Sequence, residues 1–228
     1  MIRKLGVTVA CTLAAAAGLA LGTAGPAAHA ATDTKTPIRT YTEYSALSFK
    51  GVGSDKGYLS LTTDSERVAL SPHLAYTASG LDESTGKGSQ KTPFSEVLVG
   101  DHFYTKTGGG SWKVQTLSAA VLAANAQGFN PYTTQQKFDA LHGVHQVSRT
   151  ESTVTGTLAQ LNSFMSWEYG ESAAAFKGSG IKTLTADFWV DSSGRPVKIT
   201  VVGKSSTNDF TTVETFGNYN KPQTFTAP

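Results

Sequence analysis

Leu184-Thr185-Ala186-Asp187-Phe188-Trp189-Val190-Asp191-Ser192-Ser193-Gly194-Arg195-Pro196-Val197-Lys198-Ile199-Thr200-Val201 spells out an amphipathic β-hairpin. Leu184, Ala186, Phe188 and Val190 alternate with Thr185, Asp187, Trp189 and Asp191, the period of a strand with one apolar face. Asp191-Ser192-Ser193-Gly194 then offers an acceptor side chain at the first position of a type I turn and a glycine where the chain needs positive φ. Pro196 falls at the first residue of the return strand, where a missing N–H is tolerated. Val197, Ile199 and Val201 repeat the apolar side against Lys198 and Thr200, and a third strand is expected from Phe210 to Tyr219 after the polar break Ser205 to Asp209.

Strands are expected through most of the chain upstream. Tyr41 to Gly53 alternates, with Leu47 and Phe49 inward; Gly53 to Gly57 is turn chemistry; Leu59 and Leu61 are expected to continue the inward face on the way back. Arg67 to Thr77 reads as a strand, Leu81 to Thr92 as a long polar loop, and Glu96 to Val99, His102 to Lys106 and Trp112 to Gln115 as short strands. The helical signal runs from Leu117 to Gln127, where Leu117, Val121 and Leu122 share a face and Gly128 is the expected stop. A second helix is expected over Thr133 to Leu141 with Gly143 as its stop. Gln146 to Phe164 returns to strands, and Glu168 to Phe176 is a short third helix or a loop. Strands, then helices, then strands, without βαβ alternation, predict an antiparallel α+β domain whose large sheet curls under a helical cover.

The opposite end of the chain carries an address. Arg3 and Lys4 precede an apolar run from Leu5 to Leu21, and Ala28-His29-Ala30 supplies the small residues of a signal-peptidase site. Residues 1–30 are read as a secretory signal, 31–40 as a flexible tail and 41–228 as one domain. The run is too short and too punctuated by glycine for a transmembrane anchor. Thr8-Val9-Ala10-Cys11 is a poor lipid-attachment motif, so a released protein is expected rather than one anchored through Cys11. Cleavage removes Arg3, Lys4 and the sole cysteine, leaving 17 basic against 17 acidic residues. A neutral chain argues against nucleic acid as partner, and the lost thiol against a disulfide-linked one.

Recognisable catalytic motifs are absent. There is no Gly-x-Ser-x-Gly elbow, and Gly51-Val52-Gly53 lacks the third glycine and the helix of a dinucleotide loop. His142 and His145 are separated by Gly143 with no third ligand nearby, so neither a metal nor a cofactor is expected. Carboxylate pairs among Glu168, Asp187 and Asp191 are no more specific than in any domain. Trp112, Trp167 and Trp189, with Tyr44, Tyr58, Tyr104 and Tyr132, are candidates for a sugar-stacking platform, although aromatics also serve strands as packing; Trp189 stands out on the polar side of its strand.

Two stretches carry a family resemblance. Trp189-Val190-Asp191-Ser192-Ser193-Gly194-Arg195-Pro196, with the ending that contains Tyr219, Lys221, Pro222 and Pro228, resembles the C-terminal part of the LolA-like lipid carriers of actinobacterial envelopes, the LppX and LprG type. Val99-Gly100-Asp101-His102-Phe103-Tyr104-Thr105-Lys106 and Trp112 are similar to that family's central hairpin. The resemblance implies a bent antiparallel half-barrel, helices closing its mouth, and a hydrophobic cavity between them that takes acyl chains without catalysis. It implies a monomeric carrier or scavenger of a lipid or acylated ligand, with an envelope lipoprotein or membrane as partner. A sensor, a glycan-binding module using surface aromatics and an enzyme without a familiar motif stay open beside it. The residues expected to line the cavity are Leu47, Phe49, Leu59, Leu61, Phe188, Val190, Val197, Ile199 and Val201 from the strands, and Leu117, Val121 and Leu122 from the cover helix. A closed, dry core is the competing role for each of them.

Overall fold

A computed structural model of the chain describes residues 35–52, 59–85, 89–168, 176 and 179–228. The secretory signal with its cleavage site, Cys11, the turn at 53–57, Tyr58 and the segment 169–175 lie outside the described residues. Six strands come first: β1 (Thr40–Gly51), β2 (Leu59–Ala69), β3 (Ala75–Thr85), β4 (Gln90–Val99), β5 (His102–Thr107) and β6 (Lys113–Thr116). Two helices follow, α1 (Ala119–Phe129) and α2 (Pro131–Asp139), then β7 (His145–Ser148), β8 (Glu151–Thr157) and α3 (Leu158–Glu168). The C-terminal meander is β9 (Thr183–Val190), β10 (Pro196–Lys204) and β11 (Asn208–Gly217).

The described strands form one antiparallel sheet in the order β6-β5-β4-β3-β2-β1-β11-β10-β9-β8-β7. Each half is a meander of sequence neighbours, and the halves join where β11 returns to pair with β1. The sheet does not close: β6 and β7 end it, each four residues long and exposed throughout, the short edges that discourage further strand pairing. The chain between those edges is α1 and α2, which the sequence thus places across the open side. The expected α+β half-barrel with a helical cover is the architecture of this protein.

The core lies between the helices and the concave face. Phe138 of α2 is fully buried, its ring 5.2 Å from Phe188 of β9 and 5.7 Å from Phe164 of α3. Phe129 at the end of α1 packs 4.8 Å from the Tyr76 ring of β3, and the Tyr41 hydroxyl of β1 donates to the Phe129 carbonyl. The segment ahead of β1 is tied down as well. Ile38 is buried, Lys35 Nζ donates to Gln135 Oε1 at 2.8 Å, and Arg39 N donates to Asn220 Oδ1 at 2.7 Å.

Several expectations need correction. Gly128 does not stop α1 but lies buried within it; Asn130 ends the helix and caps α2, its Oδ1 accepting from Tyr132 N at 3.0 Å ahead of Pro131. Arg67 to Thr77 is no single strand but spans the turn between β2 and β3, with Pro72 in it. Leu81 to Thr92 is largely strand, because β3 is paired on both sides: Leu81 lies opposite Thr63 and Pro93. Leu158 to Glu168 is helix α3 rather than strand, started by Gln160 Oε1, which accepts from Thr157 N at 2.7 Å.

Candidate functional site

The concave face is built from rows of residues directly opposed across neighbouring strands, so sequence parity and register decide what each row presents. The row nearest α1 is apolar: Tyr41, Val68, Tyr76, Leu98 and Phe103 align across β1 to β5 and are all buried. The next row carries Glu43, Glu66, Ala78 and Glu96, and the one after it Glu214, Ser45, Asp64, Gly80 and Phe94. A fourth aligns Thr212, Leu47, Thr62 and Asp82, and a fifth Phe210, Phe49 and Ser60. Two bands of carboxylates therefore divide the apolar surface, which the inward-facing hydrophobic residues alone do not reveal.

These carboxylates are deep. Glu43, Asp64, Glu66 and Glu214 are at most 5% exposed, and Glu43 stands directly opposite Glu66, an arrangement that opposes like charges. Ser45 Oγ donates to Asp64 Oδ1 at 2.6 Å, Thr62 Oγ1 to Asp82 Oδ1 at 2.7 Å and the Tyr76 hydroxyl to Glu96 Oε2 at 2.7 Å. Burial pushes the Glu96 carboxyl above its ordinary range, the Tyr76 hydrogen bond works against it, and the Asp64 charge adds to it. Burial also raises Tyr76 well above the usual phenol range, with Glu96, Glu66 and Asp64 adding to the rise. The sequence held the signal for this polar band: Glu43 is in phase with Leu47 and Phe49, and Glu214 with Phe210 and Phe216.

The expected lining residues separate into three groups. Leu47, Phe49, Phe188, Val190, Ile199 and Val201 do stand on the concave face, but Phe188, Ile199 and Val201 are at most 3% exposed and are filled core, as is Leu117 ahead of α1. Leu47, Phe49, Val190 and, from α1, Leu122 are half-buried at the border of that core. Leu59 and Leu61 are on the opposite face, because the register sets Thr62 against Leu47 and Ser60 against Phe49. Val121 points outward at 37% exposure, since α1 begins two residues later than the pattern implied, behind an N-cap in which Val121 N donates to Ser118 Oγ. Val197 is the extra residue of a bulge between Pro196 and Lys198 and is only half-buried.

Of the remaining candidates, Tyr44 and Trp112 line one groove on the outer face, whereas Trp189, Trp167, Tyr132, His142 and His145 do not converge. Trp189 lies on the outer face beneath the Lys198 ammonium, 4.8 Å above its ring, while Trp167 is on α3 under Lys137 and Tyr132 on α2 beside Lys35. His142 sits in the turn after α2 and His145 on β7, with Gly143 at φ +85° between them. Among the described residues no three His, Cys, Asp or Glu side chains are placed to hold a metal, and no described helix is long and apolar enough to cross a membrane.

No protein-family model and no curated protein matches the chain. Among solved structures it is similar to the crystal structure of LprF from Mycobacterium bovis, with a TM-score of 0.37 and 15% identity, covering 84% of this chain and 90% of that one. It is also similar to the lipoprotein LppX from Mycobacterium tuberculosis, with a TM-score of 0.42 and 16% identity, covering 83% and 90%. The fold class rests on the strands and helices of the present chain.

Proposed function

We propose that this protein is a non-catalytic, secreted binder of acyl chains, a carrier or scavenger for a lipid or lipidated molecule, which it holds between the concave face and its helical cover. The observation that supports this reading is the set of half-buried apolar side chains at the border of the core: Leu47 and Phe49 on β1, Val190 on β9 and Leu122 on α1. Such side chains are the surface an acyl chain shields from water. Each methylene transferred from water contributes about 0.8 kcal/mol, so a chain of ordinary fatty-acid length supplies on the order of 10 kcal/mol before the costs of association and ordering. The carboxylate bands separate the apolar ground at Leu47 and Phe49 from the ground beside α1, where Leu122 lies.

The test is native mass spectrometry of the purified protein together with titration by a fluorescent lysophospholipid. Bound acyl lipid and saturable uptake are expected, with uptake weakened about tenfold or more in Phe49→Asp, which sets a charge where the chain packs. Empty protein that takes up no probe, or a Phe49→Asp variant that folds and binds as the parent does, would contradict the proposal.

A further inference from the structure

The outer face of the sheet carries a feature that acyl binding does not use. A groove of about 770 Å³ runs over β11, β1, β2, β3 and β4, walled at its ends by Trp112 and by the C-terminal segment at Asn218 and Thr226. Its floor is a row of hydroxyls in direct register: Thr215, Tyr44, Ser65, Ser79 and Ser95, one from each strand. Neighbouring members are set by the strand spacing of about 4.8 Å, so the row runs for roughly 20 Å. Two aromatic rings stand in it, Tyr44 at 46% and Trp112 at 37% exposure. A single guanidinium joins them, that of Arg67, whose Nε donates to Thr77 Oγ1 at 3.2 Å.

We propose that this groove binds an oligosaccharide carrying carboxylates. A pyranose presents an apolar C–H face that stacks on an aromatic ring and a rim of hydroxyls that exchange hydrogen bonds, and the groove offers both in a volume ordinary for a ligand site. The strand spacing repeats the hydroxyls at about the length of one sugar ring, so a linear chain meets equivalent partners along the row. Charge selects the class of sugar. Glu43, Glu66 and Glu96 also border the groove, but Glu43 and Glu66 are buried and Glu96 Oε2 is engaged on the concave side by the Tyr76 hydroxyl. Arg67 is therefore a fixed positive charge in the groove, and Lys106 extends the row beyond Ser95. Other occupants fit less well. Nucleic acid needs a longer basic track, a peptide strand needs a free sheet edge whereas the groove lies over mid-sheet, and an acyl chain needs an apolar floor.

Isothermal titration calorimetry with two tetrasaccharides tests this. One alternates N-acetylglucosamine with N-acetylmuramic acid, which bears a carboxylate, and the other is chitotetraose, which bears none. The acidic tetrasaccharide is expected to bind, the neutral one about tenfold more weakly, and Trp112→Ala and Arg67→Gln each to lose about tenfold or more of the acidic sugar's affinity. Trp189→Ala and Phe49→Asp, outside the groove, are expected to bind as the parent does, which separates this site from the acyl-binding face. Circular dichroism checks that each variant is folded; Ser79→Trp, which fills the groove from an exposed position, replaces any that is not. No binding of either sugar, or binding indifferent to Trp112, Arg67 and Ser79, overturns the site. Equal binding of the two sugars overturns its acidic class.

Discussion

Asp191 closes the hairpin between β9 and β10 with both carboxylate oxygens. Oδ1 accepts from Ser193 N at 2.8 Å and Arg195 N at 3.0 Å, and Oδ2 pairs with the Arg195 guanidinium at 2.7 Å, while Gly194 takes φ +74°. Burial alone would raise this carboxyl; the hydrogen bonds from Arg195 and Ser193 and the Arg195 charge outweigh it and hold the group below the usual range. A depressed carboxylate contributes stability above its unfolded pKa near 3.9, and that contribution is lost as pH falls through the folded value. Asp191→Ala is therefore expected to cost about 1–2 kcal/mol at neutral pH, lowering Tm by about 3–6 °C, with the gap to the parent narrowing as calorimetry is repeated toward pH 2. This turn was legible because its chemistry is local: acceptor and glycine are three residues apart. Leu61 was not, because its face depends on the register of β2 against β1, which the alternation alone does not set.

Among the elements, β1 to β4 share one peculiarity, the carboxylates on their inner side. Glu96 of β4 holds its proton more tightly in the fold than in the unfolded chain. For such a raised acid the stability is present below the unfolded pKa near 4.3 and is lost as pH rises through the folded value. Glu96→Gln keeps an acceptor for Tyr76 and removes the ionisation, so it is expected to raise Tm at pH 8 and to raise it less at pH 4; an equal shift at both pH values would contradict the burial argument. The helices were legible to different degrees. α1 and α2 carry apolar residues at helical spacing, and their boundaries moved by about two residues because Ser118 and Asn130 cap them. α3 was not legible, because Leu158, Leu161 and Phe164 follow a threonine-rich strand without a break and only Gln160 marks the helix start.

For the molecule as a whole, one sheet presents two unlike faces, a concave one with apolar ground on either side of the carboxylate bands and an outer one with a groove floored by hydroxyls. The architecture was legible from element order, and the division of the concave face was not, because hydrophobic alternation registers the apolar members of a strand and passes over an in-phase Glu43 or Glu214. The proposed acyl chain lies on the concave side, against Leu47, Leu122 and Val190. Methyl-detected NMR of the protein titrated with a lysophospholipid that carries a nitroxide near the end of its acyl chain tests it directly. Broadening of the Leu47, Leu122 and Val190 methyls is expected while those of Leu59 and Leu61, on the other side of the sheet, keep their intensity; broadening of Leu59 and Leu61 with the concave methyls untouched, or of none, rules acyl binding at this face out.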